Sequence, residues 1–316
     1  MEHLRRKTHN PLLRFAWLSI GAAAATILLK GASYLITGSV GLLSDALESF
    51  VNLIGALMMM VMLTIAAHPP DEEHSYGHDK AEYFASGVEG ILVIAASGGI
   101  IFSAVERLLH PMPIEKVGIG LLISSAASVV NLVVARTLLQ ASKRFQSIAL
   151  EADSKHLMAD VWTSVGVIGG VGAVSLTGWL VLDPVIAILV ALNILRTGWD
   201  LLRRTVSGLM DTTLPKAEID SIKEILEKYQ KQGVLYHALR TRQAGRRRFV
   251  SMHILAPGEW TIQQGHHVLE EIEGEIRALL PGITVFTHIE PLEDEASWQD
   301  VHLDTIDPAE EGWMEG

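Results

Sequence analysis

The chain has 316 residues, of which 49% are hydrophobic, and it has no cysteine and a formal net charge of −11. The negative charge argues against nucleic-acid binding, and the absence of cysteine excludes disulfides and thiolate metal ligands. The hydrophobic residues form long blocks in the first two-thirds of the chain, which is typical of a membrane protein.

The amino terminus carries Arg5, Arg6 and Lys7 ahead of an apolar stretch that continues to Ile36. A signal peptide has a shorter apolar region and a cleavage motif of small residues, and neither is present here. We therefore expect a cytoplasmic amino terminus followed by a retained helix.

Six apolar segments each reach the length of about 20 residues that a bilayer crossing requires. Most Lys and Arg residues fall on one side of these segments, including the joints at 68–80 and at Lys143-Arg144. Because cytoplasmic loops are rich in Lys and Arg, both termini are predicted to be cytoplasmic. The predicted segments are 11–36, 39–66, 83–109, 115–139, 150–177 and 182–206.

The periodicity changes after Met210. Two helical patterns and three strand-like patterns follow in the order α, β, β, α, β, which predicts a small α+β domain. This domain is short for an independent core, so we expect it to dimerise. The predicted organisation is an all-α six-helix transmembrane domain at 1–209, the α+β domain at 210–292 and an acidic, disordered tail at 293–316.

Two of the apolar segments contain paired polar residues, which are costly inside a bilayer. Glu48 and Asn52 are four residues apart in the second segment, with Asp45 about one turn before Glu48. His156 and Asp160 have the same spacing in the fifth segment. Each pair shares one helix face, so two facing helices could place four ligands around one ion. The alternative is that these residues are helix ends or make hydrogen bonds between helices.

The chain resembles the cation diffusion facilitator family, most closely its bacterial iron/zinc-efflux branch. The likeness is carried by SDALES at 44–49, HSYGHDKAE at 74–82 and ADSKHLMADVWTS at 152–164, and it covers nearly all of the chain except the tail. It implies a homodimeric metal/proton antiporter of the bacterial inner membrane, not an enzyme, with a ferredoxin-like cytoplasmic domain.

The resemblance places the transport site on Glu48, Asn52, His156 and Asp160. The second pair matches the family's His-x-x-x-Asp pattern, whereas the family usually has His or Asp in place of Glu48 and Asp in place of Asn52. Zn²⁺ is the first expectation, and Mn²⁺ and Fe²⁺ remain open because oxygen-rich sites favour harder ions. Asp45 could restore the charge that Asn52 lacks.

Further metal sites follow from the same resemblance. Asp71, His74 and His78 match an accessory site in the joint between the second and third segments. A salt bridge between Lys80 and Asp211 is implied near the dimer interface, although Lys80 could equally act as a positive-inside anchor. Ligands at or near the dimer interface of the cytoplasmic domain are implied at His237, His253, His266, His288 and Glu290.

Two alternatives to transport are an intramembrane metalloenzyme and a membrane metal regulator. An intramembrane metalloenzyme would need an open metal position and a general base, and the sequence has no His-Glu-x-x-His motif. A membrane regulator could bind metal without moving it, but it would not need an ion site within a full set of crossings.

Overall fold

The computed structural model describes residues 11–37, 40–110 and 118–298. The chain forms two compact units that divide between Ser207 and Gly208. The elements are α1 (Leu13–Thr37), α2 (Val40–Ala66), α3 (Ala81–Leu109), α4 (Gly118–Phe145), α5 (Ile148–Thr177), α6 (Leu182–Leu209), α7 (Lys216–Gln230), β1 (Leu235–Ala244), β2 (Arg247–Ala256), α8 (Ile262–Leu279) and β3 (Ile283–Pro291).

The helices of the first unit lie close to the predicted segments, except that α4 ends later than expected. Lys143 and Arg144, predicted to form a joint, belong to the last turn of α4. The chain turns instead at Gln146, which has a φ of 53°. Ser147 then caps α5, because its Oγ accepts a hydrogen bond from the backbone N–H of Leu150 at 3.4 Å.

Among the described residues, four helices are long and apolar enough to cross a membrane, namely α1, α2, α3 and α6. Helix α5 has a comparable length but carries five ionisable residues between Glu151 and Asp160. The first unit is therefore of the helical transmembrane type, and the prediction of six crossings remains a prediction for α4 and α5.

The first unit has its main core between α1, α2, α4 and α5, where Met59, Leu138 and Leu157 are fully or almost fully buried. Helices α3 and α6 approach each other closely. A Cβ atom on Gly198 would lie 2.9 Å from Cγ1 of Ile94, so a glycine is needed at this contact.

The second unit confirms the predicted order α, β, β, α, β. Its sheet has the order β1-β2-β3, with β2 antiparallel to β1 and parallel to β3. Helices α7 and α8 cover the sheet with apolar residues such as Ile222, Ile272 and Ile276, which are fully buried. The burial of these apolar side chains between the helices and the sheet stabilises this short α+β unit.

The first residues of the predicted tail are ordered. Residues 295–298 form a helical turn after β3. Ser297 Oγ donates to the carbonyl of Pro291 at 2.8 Å, and the indole N–H of Trp298 donates to the carbonyl of Leu292 at 3.0 Å. These bonds explain why the predicted disorder does not hold at 293–298. The rest of the tail lies outside the described residues.

Candidate metal sites

Helix α5 presents His156 and Asp160 four residues apart, and this spacing puts both side chains on the face that meets Asn52 of α2. Asn52 Oδ1 lies 2.8 Å from His156 Nε2, and Asn52 Nδ2 donates to Asp160 Oδ2 at 2.5 Å. Asn52 and His156 are only 5% and 6% exposed. The structure thus brings together three of the four residues predicted as transport ligands.

The remaining candidates of the second segment belong to α2. Glu48 precedes Asn52 by one helical turn, and Asp45 precedes Glu48 by about one more. The side chains of Glu48 and Asp45 lie outside the described part of the structure. Their roles as ligands stay predictions.

Two residues that the sequence interpretation missed complete the cluster. Glu89 of α3 is 2% exposed, and its Oε2 lies 2.5 Å from Nδ1 of His156. Asn131 of α4 is also buried, and its Nδ2 donates to Asp160 Oδ2 at 3.3 Å. A signal existed for Glu89, because an ionisable residue inside an apolar membrane segment has a functional role by default.

The first half of α5 is held in place by polar contacts with its neighbours. Ser154 Oγ donates to the backbone carbonyl of Ala135 on α4 at 2.8 Å. Glu82, at the start of α3, accepts a hydrogen bond from Ser147 Oγ at 2.5 Å. These contacts hold in place the helix that carries His156 and Asp160. The positions of these two side chains therefore depend also on hydrogen bonds made elsewhere along α5.

The charges around His156 favour a cation. Glu89, which is buried, and Asp160, which is half-buried, bring carboxylates to the cluster, and Asp153, one turn before His156, is a second buried carboxylate. Buried carboxylates are stable only when they are paired, protonated or bound to a metal ion. Nitrogen from an imidazole and oxygen from carboxylate and amide groups are the donors that Zn²⁺, Mn²⁺ and Fe²⁺ accept.

The joint between α2 and α3 forms a second cluster. Asp71 Oδ1 lies 3.5 Å from His74 Nδ1, and Asp71 Oδ2 lies 3.3 Å from His78 Nε2. The backbone N–H of His74 donates to the carboxylate of Asp71 at 2.7 Å and lowers the pKa of Asp71 below its usual value. The three predicted residues therefore come together around an ionised carboxylate, with one ligand atom from each within 4.8 Å of the others.

A third cluster lies on the sheet of the second unit. The strand register places His237 opposite His253, and His253 opposite His288. Glu290 joins them, since its two carboxylate oxygens lie 2.9 Å from His237 Nε2 and 3.2 Å from His253 Nδ1. His288 Nε2 is 3.5 Å from Glu290 and this side chain is 68% exposed. His237, His253 and Glu290 form the compact part of this cluster.

The fifth residue predicted for this cluster does not join that compact group. His266 lies on α8 and is exposed, whereas the group is built on the three strands. An unpredicted residue, Trp298, lies beside the cluster instead. Its ring stacks on His237 with 6.2 Å between ring centroids.

Lys80 and Asp211 belong to different units, so the predicted salt bridge between them remains a prediction. Within its own unit, the carboxylate of Asp211 accepts a hydrogen bond from Arg242 Nη1 at 3.4 Å. Asp211 has a φ of 58°, a conformation that Asn and Asp tolerate better than most residues.

Comparison with known proteins identifies the family. Residues 16–210 match the cation efflux transmembrane domain, and residues 214–292 match the cytoplasmic domain of cation efflux proteins. The chain is 52% identical to the uncharacterized transporter sll1263 of Synechocystis over 93% of this chain and 94% of that protein. It is 28% identical to the cation-efflux pump FieF of Shewanella oneidensis over 89% of this chain and 94% of that pump. The FieF pump of Salmonella schwarzengrund is also 28% identical, over 88% of this chain and 92% of the pump. The chain therefore belongs to the cation diffusion facilitator family, a family of membrane transporters for cation efflux.

Proposed function

We propose that this transporter exports a divalent transition-metal ion from the cytoplasm in exchange for protons. The ion would bind between α2 and α5, at Asn52, His156 and Asp160, with Glu48 as the fourth ligand. The observation that carries the proposal is the buried contact of Asn52 with both His156 and Asp160. Asn52, His156 and Asp160 converge within the helical unit of the transmembrane type, where an unpaired polar side chain would be costly.

Proton exchange follows from the chemistry of the imidazole ring. Both ring nitrogens of His156 face oxygen atoms, Nδ1 that of Glu89 and Nε2 that of Asn52. An imidazole that donates on both sides carries two protons and a positive charge. A metal ion can bind Nε2 only after this nitrogen has lost its proton, so loading the ion releases a proton. Protonation from the opposite side of the membrane would then expel the ion.

Zn²⁺ is the proposed substrate, and Mn²⁺ and Fe²⁺ are the alternatives. A histidine nitrogen with carboxylate oxygens suits Zn²⁺, whereas Glu48 in place of the family's usual His or Asp makes the proposed site richer in hard oxygen donors. The proposed coordination therefore differs from the usual family pattern at two positions, Glu48 and Asn52, and both are expected to tune the choice of metal.

We further propose a homodimer in a bacterial inner membrane, with six crossings per chain and both termini in the cytoplasm. The match to the cytoplasmic domain of cation efflux proteins supports the homodimer. The cluster of His237, His253 and Glu290 would bind a regulatory metal ion at or near the dimer contact. The cluster of Asp71, His74 and His78 would be an accessory site.

The proposal is tested by flux into sealed proteoliposomes loaded with a metal indicator and a pH indicator. Zn²⁺, Mn²⁺, Fe²⁺, Co²⁺ and Cd²⁺ are compared, with and without a pH gradient. Metal entry coupled to opposite proton movement is expected, with the highest rate for Zn²⁺. Metal binding without flux would favour a regulator, and catalytic turnover in detergent would favour an enzyme. Flux that is insensitive to the pH gradient would contradict proton exchange.

A further inference from the structure

Glu89 is a buried carboxylate with only one of its oxygens engaged among the described residues. Its Oε2 faces His156 Nδ1 at 2.5 Å. Its Oε1 is buried and has no hydrogen-bond partner there. An ionised carboxylate in this setting loses its hydration, and a nearby cation is needed to compensate for that loss. A cation in the neighbouring site would therefore stabilise the ionised form of Glu89.

Helix α2 leaves room for this carboxylate at Gly55. A Cβ atom on Gly55 would lie 2.2 Å from Oε1 and 3.0 Å from Cδ of Glu89. Real Cβ atoms do not approach another heavy atom so closely, so a larger residue at 55 would displace Glu89 or α2. Gly98 of α3, by contrast, has open space where its Cβ would lie.

We infer that Glu89 is the positioning residue of the transport site and supplies the negative charge that Asn52 lacks. By accepting a hydrogen bond from Nδ1–H, Glu89 fixes the imidazole so that Nε2 is the nitrogen offered to the ion. Together with Asp160 it brings two negative charges to His156, which match the charge of a divalent ion. This inference rests on the proposed function only in placing the ion at Asn52, His156 and Asp160.

The geometry separates this role from that of Asn52. Asn52 meets His156 on the Nε2 side, and Glu89 meets it on the Nδ1 side. A carboxylate on the Nδ1 side raises the basicity of the imidazole as a ligand, and losing such a partner typically lowers metal affinity about 10–100-fold. A substitution on either side changes the charge of the same cluster, so a charge removed at 89 can be returned at 52.

The test is Zn²⁺ titration of the full-length protein in detergent by calorimetry. The transport site is defined as the part of Zn²⁺ binding that His156→Ala removes. Glu89→Gln is expected to weaken binding at that site about 10–100-fold. The double variant Asn52→Asp with Glu89→Gln should recover most of the loss, because it returns one negative charge. The control is Glu106→Gln, since Glu106 is an exposed carboxylate of the same helix and lies outside the cluster. It should bind Zn²⁺ as the wild type does.

Unchanged Zn²⁺ affinity in Glu89→Gln would overturn the inference, and so would a loss that Asn52→Asp does not recover. If Glu89→Gln does not fold, Gly55→Ala is compared with Gly98→Ala. Weaker Zn²⁺ binding in the Gly55 variant alone supports the inference, and equal binding in both overturns it. Because the titration needs no flux, a wild type that binds Zn²⁺ through His156 but does not transport it would refute only the proposed function.

Discussion

His156 meets an oxygen atom on each side of its ring, and Asp160 accepts hydrogen bonds from two amide groups. Each side chain of the cluster is therefore both a candidate ligand and a bonding partner of another. Removing one of them changes the metal site and leaves a neighbour without its partner. The effect on metal binding and the effect on stability differ in size at each position, so measuring both in single variants can distinguish them.

Asp160→Ala and His156→Ala are each expected to reduce metal flux to the level of empty vesicles while leaving a folded dimer. Each change removes one ligand from a site of about four. The measurement is flux into proteoliposomes, with size-exclusion chromatography to check assembly. Ser164→Ala is the control, because Ser164 Oγ donates to the backbone carbonyl of Asp160 at 3.0 Å, accepts from Ser128 Oγ at 2.5 Å and is not a proposed ligand. Wild-type flux in either ligand variant would refute the site.

Asn52→Asp is expected to raise the affinity for Zn²⁺ relative to Mn²⁺ and to destabilise the protein without metal. The change restores the usual family anion, but it replaces the amide that donates to Asp160 at 2.5 Å by a second carboxylate. A lost hydrogen bond to a charged group costs about 1.5–3 kcal/mol, and a bound cation would offset this loss. Thermal melts with and without each metal measure both effects. An unchanged metal preference would mean that Asn52 does not contact the ion.

At the scale of the elements, the sheet and its helices form a unit with its own apolar core. The strand register sets His237 opposite His253, and Glu290, two residues after His288 on β3, reaches both histidines. The position of Trp298 indicates that this unit continues at least to residue 298.

His288→Ala combined with Glu290→Ala is expected to remove most of the stabilisation that Zn²⁺ gives to a fragment spanning residues 210–298. Glu290 contacts both His237 and His253, so its loss opens the cluster. The thermal shift with Zn²⁺ measures this effect, and His267→Ala is a control at an exposed histidine outside the cluster. In the full-length protein the double change should slow transport without abolishing it, since such coupling typically amounts to about 1–3 kcal/mol. Equal thermal shifts for the fragment and its variant would place the regulatory metal elsewhere.

The contact between α7 and α8 predicts a loss of stability at high pH. Burial and the hydrogen bond to Glu275 raise the pKa of Tyr229 to about 12. A group with a raised pKa stabilises the fold fully below its unfolded pKa of about 10, and this contribution is lost as the pH rises through 12. The free energy of unfolding of the fragment should therefore fall between these two values. Tyr229→Phe should make that part of the pH profile flatter, and an unchanged slope would refute the assignment.

At the scale of the whole molecule, the membrane topology depends on whether α4 and α5 cross the bilayer. Six crossings and four crossings place the joint between α4 and α5 on opposite sides of the membrane. The absence of cysteine makes single-cysteine labelling possible without a background. Lys143→Cys, at the end of α4, is expected to react with a membrane-impermeant maleimide only from the cytoplasmic side.

Two exposed positions serve as references for that experiment. Tyr76→Cys should be labelled from the cytoplasm and Trp179→Cys from the opposite side, with either four or six crossings. Labelling of Lys143→Cys together with Trp179→Cys would show that α4 and α5 do not cross, and would contradict the proposed topology.

The amino-acid sequence by itself predicted most element bounds to within a few residues, because apolar block length and side-chain periodicity act locally along the chain. It also predicted that His156 and Asp160 lie side by side, since residues four positions apart share one face of a helix. The later end of α4 followed from a local turn at Gln146 and the cap at Ser147, which the apolar pattern did not reveal.

Only the tertiary structure decided which distant residues meet. Glu89 lies 67 positions from His156 in sequence, and Asn131 lies 29 from Asp160. No local period relates residues on different helices, so their contact depends on how α2, α3, α4 and α5 pack. The same reason separates His266 from the compact cluster, because α8 and the strands are placed by the core rather than by their histidines.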